Sequence, residues 1–353
     1  ESIPLEIGTS DSALAGHGLS KTVPYTVSSS GTLHVWATSE AFDSFLRVES
    51  AEGALLGEDD NAAGGKTPFL ALEVVKGAAL RITVASASEG GAGRVTLVLR
   101  ESPETEQTRA VAMAALESLD EADSLREKGD LDGARRKVRG TLESLKGVPG
   151  VGESAAAANA LWQIGQRAYA LRDLRMTSEA CGRVRDFREG FLPPDHPDLQ
   201  AARLNLAVTI EALGDLPGAR ALEEKVLEVR TRTLPEDHPD LQAARQGLAA
   251  TICTLGDLQG ARALQEEVLK VRSRTLPEDH PNVQAARLDL ARTIFSLGDL
   301  AGARALFEKV LEVRSRTLPE DHPDLQRTRA NLAVTLKALG DLPRARALEE
   351  KVL

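Results

Sequence analysis

His196, His238, His280 and His322 stand 42 residues apart, and so do the Gly-Asp-Leu tripeptides that begin at Gly214, Gly256, Gly298 and Gly340. Residues 234–275 and 276–317 differ at only 11 of 42 positions. A chain that repeats itself this closely folds as repeated units, each meeting its neighbour in the same way, and not around one closed core. Two weaker copies lie upstream. Arg172-Asp173-Leu174 stands one period before Gly214, and Gly129-Asp130-Leu131 lies 43 residues before Arg172.

Each unit reads as a pair of helices. Leu206, Ile210 and Leu213 give the i, i+4, i+7 stripe of a first helix, which the Gly-Asp-Leu turn ends through a residue that accepts positive φ. A second helix follows with Leu222, Val226, Leu227 and Val229 on its apolar side. It stops near Leu234-Pro235-Glu236-Asp237-His238-Pro239, where prolines bar continuation; Pro239 suits the first position of the next helix and Asp240 its positive end. A hairpin of this size cannot bury its stripe alone, so the units are expected to stack into a superhelix.

Residues 1 to about 100 follow a different rule. Leu33/Val35, Leu46/Val48, Leu70/Leu72/Val74, Leu80/Ile82/Val84 and Val95/Leu97/Leu99 alternate as half-buried strands do, and runs such as Ser28-Ser29-Ser30-Gly31, Gly64-Gly65 and Gly90-Gly91 separate them. Six to eight short strands with one inward face imply an antiparallel sandwich or jelly roll. The expected chain is therefore multidomain, an N-terminal all-β sandwich or jelly roll followed by a right-handed all-α solenoid. Its boundaries fall at 1–102 for the sandwich, 103–191 for degenerate helical hairpins and 192–353 for regular repeats, the last truncated.

The pattern Asn205-Leu206-Ala207, Gly214-Asp215-Leu216, Ala219 and Leu234-Pro235-Glu236-Asp237-His238-Pro239 resembles the 42-residue tetratricopeptide repeat of the kinesin light chain type. That resemblance covers residues 150–353 well and 105–150 weakly. Phe42-Asp43-Ser44-Phe45-Leu46-Arg47-Val48, Leu56-Gly57-Glu58-Asp59-Asp60, Gly64-Gly65 and Leu80-Arg81-Ile82-Thr83-Val84 resemble bacterial pre-peptidase C-terminal domains, small β-sandwiches on secreted and multidomain proteins. The second resemblance leans toward an extracytoplasmic setting, while repeats of the first kind are frequent in cytoplasm, so the compartment stays open.

Composition excludes several classes. Net charge is −10 and both parts are mildly acidic, so neither carries the positive field that a nucleic-acid backbone or anionic membrane attracts. No apolar run approaches the roughly 18 residues of a spanning helix. Aromatics make up only 3%, which favours helices packed through small side chains. The two cysteines, Cys181 and Cys253, form no CxxC and fall in different predicted helices, so neither a disulfide framework nor a zinc site is expected.

Chemistry-bearing motifs are few. Equivalent histidines of stacked hairpins lie on the order of 10 Å or more apart, too far to share a metal, and each is expected to cap or pack the loop between repeats. Gly65-Lys66-Thr67 ends like a phosphate loop but has Asp60 where the first glycine belongs. Gly147-Val148-Pro149-Gly150-Val151-Gly152 reads as a connector between helices. Asp43, Asp59 and Asp60 are weak candidates for a calcium site, short of the six to eight ligands that ion prefers. No Ser or Cys has a plausible His partner. No catalytic residue, no cofactor and no resident metal are expected within this chain.

The functional signal lies in what varies between repeats. The loops and Gly-Asp-Leu turns are constant. The first helix changes at Leu204/Gln246/Leu288/Ala330, Asn205/Gly247/Asp289/Asn331, Val208/Ala250/Arg292/Val334 and Glu211/Cys253/Phe295/Lys337. Positions 204, 208 and 211 share a helix face roughly opposite the stripe, and the resemblance implies that this face lines a concave groove. The groove set comprises Leu204, Asn205, Val208, Glu211, Gln246, Ala250, Cys253, Leu288, Asp289, Arg292, Phe295, Val334 and Lys337, with Arg292 and Phe295 as an exposed guanidinium and aromatic one turn apart and Leu204, Val208 and Leu288 as exposed apolar surface. Drift on a merely solvated face would give the same variation. The expected function is a non-catalytic scaffold that binds a peptide or partner domain. Two alternatives stand beside it. One, implied by the resemblance, is the sensing and docking arm of a larger bacterial enzyme such as a tetratricopeptide-CHAT caspase-like protease; the pattern is still in mid-helix at Leu353, which leads us to expect a longer protein. The other is a structural protein that self-associates by repeat stacking.

Overall fold

The computed structural model describes residues 1–7, 11–14, 17–39, 43–59, 67–87 and 92–352. Eight strands form two four-stranded antiparallel sheets: β1 (Ser2–Ile7), β8 (Gly93–Pro103), β3 (Gly31–Ser39) and β6 (Phe69–Val74) in one, β2 (Ser20–Thr26), β7 (Ala79–Ser86), β4 (Ser44–Ser50) and β5 (Leu55–Asp59) in the other. All five predicted alternating runs lie in β3, β4, β6, β7 and β8. Leu33, Val35, Leu46, Val48, Ile82, Val84 and Leu97 meet between the sheets, each essentially inaccessible.

Twelve helices follow among the described residues: α1 (Glu106–Glu127), α2 (Leu131–Lys146), α3 (Ala155–Ala170), α4 (Leu174–Phe191), α5 (Pro197–Ala212), α6 (Leu216–Thr233), α7 (Pro239–Thr254), α8 (Leu258–Thr275), α9 (Pro281–Ser296), α10 (Leu300–Thr317), α11 (Pro323–Ala338) and α12 (Leu342–Glu349). They make a tetratricopeptide-like helical array, and the glycine-rich stretch 147–152 joins α2 to α3 through a short 3₁₀ turn at Val151–Glu153. The chain divides into two compact units, Glu1–Gly214 and Asp215–Leu353.

Local signals set the helix ends. The predicted prolines open α5, α7, α9 and α11, and in each the preceding histidine caps the helix: Nδ1 of His196, His238, His280 and His322 accepts the backbone N–H two residues on, at 3.1 Å. The periodic histidines are therefore caps. Asp130, Asp215, Asp257 and Asp299 cap the second helices by accepting from a glycine N–H at 2.8–2.9 Å. Where that glycine is replaced by Met176 or Arg344 the bond lengthens to 3.1 and 3.3 Å. A Cβ at Gly218 would stand 2.3 Å from the Asp215 carboxylate, which explains the lengthening.

The predicted core stripe needs one correction. Leu206 is buried, but Leu213 caps the C-terminus of α5 and is 44% exposed, and Leu255 and Leu339 at the equivalent positions are exposed as well. The buried face of α5 runs instead through Leu199, Ala202, Leu206 and Ala207, which follow the i, i+3, i+7, i+8 spacing.

The constant loops are held by buried arginines. In the Asp215–Leu353 unit, Arg245 grips both carboxylate oxygens of Glu236 at 2.7 and 3.1 Å, Gln242 Nε2 donates to the Glu236 carbonyl at 2.6 Å, and Arg230 Nη1 donates to the Asp240 carbonyl at 2.8 Å. Arg287 with Glu278 and Arg329 with Glu320 repeat the ion pair through one carboxylate oxygen each, at 3.2 and 2.5 Å. These charge-assisted contacts, bidentate at Arg245, tie the loop to the helix that follows it and give a reason for the loop sequence to stay constant.

Within the first unit the outer face of the sheet containing β3 is covered. Leu33, Val35 and Ala37 point into the sandwich, while Thr32, His34 and Trp36 alternate to the other side and are buried too. Phe187 and Phe191 of α4 approach His34, and Phe69 of β6 meets His196 edge-on with ring centroids 4.8 Å apart. Ser102 Oγ donates to the Glu153 carbonyl, and Glu104 accepts from Ser154 Oγ and the Ala156 N–H at 2.8 and 2.9 Å.

Candidate interaction site

The variable positions resolve into rows of different exposure. Val208 in the first unit, and Ala250, Arg292 and Val334 in the second, hold the same position of successive repeats and are each exposed, Val208 at 50% and Val334 at 53%. Glu211, Cys253 and Phe295 are half-buried, and Lys337 is exposed but paired with Glu349. Leu204, Asn205, Gln246 and Asp289 are half-buried.

Two groove residues are not where the sequence puts them. Leu288 is 3% exposed, clustered with Leu290, Phe307 and Leu332, because its position lies on the flank of α9 that adjoins the next repeat, where a leucine is drawn from water. Phe295 is half-buried against the same cluster and is not a freely exposed ring.

Polar contacts link α7 to α9 on this face. Gln246 Nε2 donates to Asp289 Oδ2 at 2.9 Å, Arg292 lies 3.8 Å from Asp289, and Cys253 Sγ is 3.8 Å from Thr293 Oγ1. Gln246, Asp289 and Arg292 thus form one chain of charge and amide, which leaves the Arg292 side chain 63% exposed.

In the first unit a cleft of about 220 Å³ lies between α3, α4 and α5. Trp162, Gln166 and Tyr169 of α3 line it opposite Asn205 and Val208 of α5, with Cys181 of α4 in its wall. None of its lining side chains is charged. The Trp162 ring is backed by the Arg188 guanidinium 5.1 Å from its centroid, and Arg188 is anchored by donating to the Asp198 carbonyl at 2.8 Å. Tyr169 is 57% exposed. Cys181 is buried, and burial pushes its thiol pKa up, which makes it a poor nucleophile. Trp162, Gln166 and Tyr169 stand one 42-residue period before Leu204, Val208 and Glu211. Extending the repeat comparison upstream to the copy ending at Arg172 reaches these aromatics; comparison of the clean copies alone misses them.

The remaining candidates are accounted for. The Asp43 carbonyl accepts from the Ala87 N–H at 2.8 Å, and Asp59 Oδ2 accepts from the Phe69 N–H at 2.7 Å. Phe42, Asp60, Asn61, Gly64, Gly65, Lys66 and Leu353 lie outside the described residues. Among the described residues no three His, Cys, Asp or Glu side chains converge as a metal site, and no helix is long and apolar enough to cross a membrane.

Tetratricopeptide-repeat family models match residues 199–240, 242–282 and 282–353. The array from residue 199 onward is a tetratricopeptide repeat. A Podosopora anserina protein of kinesin-light-chain type with nearly identical TPR-like repeats is similar at 27% identity and a TM-score of 0.50, over 55% of this chain and 92% of that one. A Pyrococcus horikoshii signal-transduction ATPase with a tetratricopeptide repeat sensor shares the fold at 14% identity and a TM-score of 0.52, over 69% of this chain and 36% of that one. No curated protein matches. Tetratricopeptide repeats generally mediate protein–protein interactions, and here the repeat lies C-terminal to a β-sandwich.

Proposed function

We propose that this protein is a non-catalytic interaction scaffold whose tetratricopeptide face captures an extended segment of a partner protein, anchored in the cleft of Trp162 and Tyr169. The cleft carries the reading. It presents two aromatic rings beside the Gln166 and Asn205 amides and the exposed Val208 side chain, and no charge. That chemistry suits an uncharged apolar or aromatic side chain whose flanking peptide groups hydrogen-bond to the two amides. A Trp–Tyr pair is also the kind of surface in which binding energy concentrates.

Pre-organisation supports the same reading. Trp162 is held from behind by Arg188, and helix-borne side chains lose little freedom when a ligand enters. The test is to pan a display library of random linear peptides on the full chain, then measure the selected peptides by calorimetry. Peptides that share an apolar anchor, and that bind Trp162→Ala plus Tyr169→Ala at least about tenfold more weakly with helicity unchanged, are the expected result. Equal affinity for that double variant would remove the cleft from the reading.

A further inference from the structure

His34 is 4% exposed, and neither of its ring nitrogens has a hydrogen-bond partner among the described residues. Its ring sits among aromatics: Phe191 at 5.4 Å, Phe69 at 6.0 Å and Phe187 at 6.2 Å between centroids. A buried imidazole with both nitrogens unpaired is a poor filler, because an apolar ring would occupy the same space without surrendering hydrogen bonds to water. What an imidazole offers instead is a charge that can be switched on near neutral pH.

The place of this residue decides what the charge would do. His34 lies where the outer face of the sandwich meets α4 and the start of α5, and the charged groups around it are known. Arg100 of β8 is its cross-strand partner, and on β6 Glu73 is engaged by Thr32. Arg188 of α4 is turned to the Asp198 carbonyl, and Asp195, in the loop before α5, is bonded to Thr67. His196 follows in that loop, with Asp59 and Asp198 acting on it. No carboxylate hydrogen-bonds to His34, so a proton there would meet aromatic rings and the His196 imidazole.

We propose that His34 is a proton-operated latch: neutral, it lets the sandwich dock on α4 and the start of α5; protonated, it loosens that docking while the sandwich and the helices each stay folded. Burial, and then His196, push the pKa of docked His34 down to about 4 from 6.5. A base depressed in the docked state supports docking fully above pH 6.5 and loses that support as pH falls through about 4. The gap between those two values amounts to on the order of a hundredfold in the docking equilibrium. Burial pushes His196 down as well, and its Nδ1 accepts the α5 cap bond, so its protonation acts in the same direction.

Trp36 lies on the same strand face as His34 and is 7% exposed, and the chain has one other tryptophan, Trp162. In the full chain carrying Trp162→Phe, the emission of Trp36 should shift reversibly to the red between pH 6.5 and 4 with the far-ultraviolet circular dichroism retained. Adding His34→Phe should abolish the shift. An unmoved emission, a shift that survives His34→Phe, or a shift accompanied by loss of secondary structure would each overturn the latch. Should His34→Phe fail to fold, ring titration of ¹³C-histidine in the unsubstituted chain decides: a His34 midpoint well below 6.5 supports the latch, and one at 6.5 overturns it.

Discussion

Thr67 Oγ1 donates to Asp195 Oδ2 at 2.9 Å across 128 residues of chain. The bond ties the residue two before β6 to the loop that starts α5, beside the Phe69–His196 contact, and Asp195 is 8% exposed. A charge-assisted bond in so dry a place is worth more than one at the surface. Thr67→Val keeps the shape and removes the donor, so it should destabilise the first unit by about 1–2 kcal/mol in urea unfolding followed by tryptophan emission. An unchanged midpoint would mean that this contact does not support the docking.

Arg172 is the only non-glycine residue with positive φ among the described residues, at 58°, and it occupies the turn position that glycine holds at 129, 214, 256, 298 and 340. A side chain in that conformation is strained by roughly 1–2 kcal/mol, partly offset by the freedom glycine adds to the unfolded chain. Arg172→Gly should therefore raise stability by about 0.5–1 kcal/mol, read as slower amide exchange in α3 and α4. Faster exchange would show that the arginine side chain has a compensating role.

Glu101 gathers five donors: Tyr25 O–H, and the backbone N–H and hydroxyl of both Ser28 and Ser29. Burial opposes its ionisation, but the hydrogen bonds from Ser28, Ser29 and Tyr25 together outweigh it and hold the carboxyl down to about 2. A depressed carboxylate stabilises the fold fully above its ordinary pKa of 4.5, and that contribution is lost as pH falls toward 2. Glu101→Gln should be less stable than the unsubstituted chain at pH 7, with the gap narrowing between pH 4.5 and 2 in thermal melts. A gap that stays constant over that range would contradict this account.

Much of the fold is legible in the residues because it rests on local periodicity. Alternation at Leu33/Val35 and Leu80/Ile82/Val84 marks strands, and the His-Pro and Gly-Asp-Leu pairs mark helix ends through caps that need only neighbouring atoms. β2 and β5 are less legible, since much of their surface lies in water and they carry no Leu/Val/Ile alternation like that of β6, an edge strand too. The candidate site was only half visible. Variation picks out Val208, Ala250, Arg292 and Val334, which are exposed, but a helical wheel cannot tell an open position from a flank that a neighbouring repeat covers, and Leu288 lies on such a flank.

The sequence alone determines that there are two kinds of structure here, where they change, the repeat length and the cap at each helix start, because these follow from interactions within a few residues or from a pattern copied along the chain. Only the tertiary structure decides that the alternate residues of β3 are buried on both faces, that the Trp162 ring backs onto Arg188, and that His34 ends among aromatic side chains with no hydrogen-bond partner. Those outcomes depend on which distant surfaces exclude water from one another. That is a property of the assembled chain and is not written in the spacing of its residues.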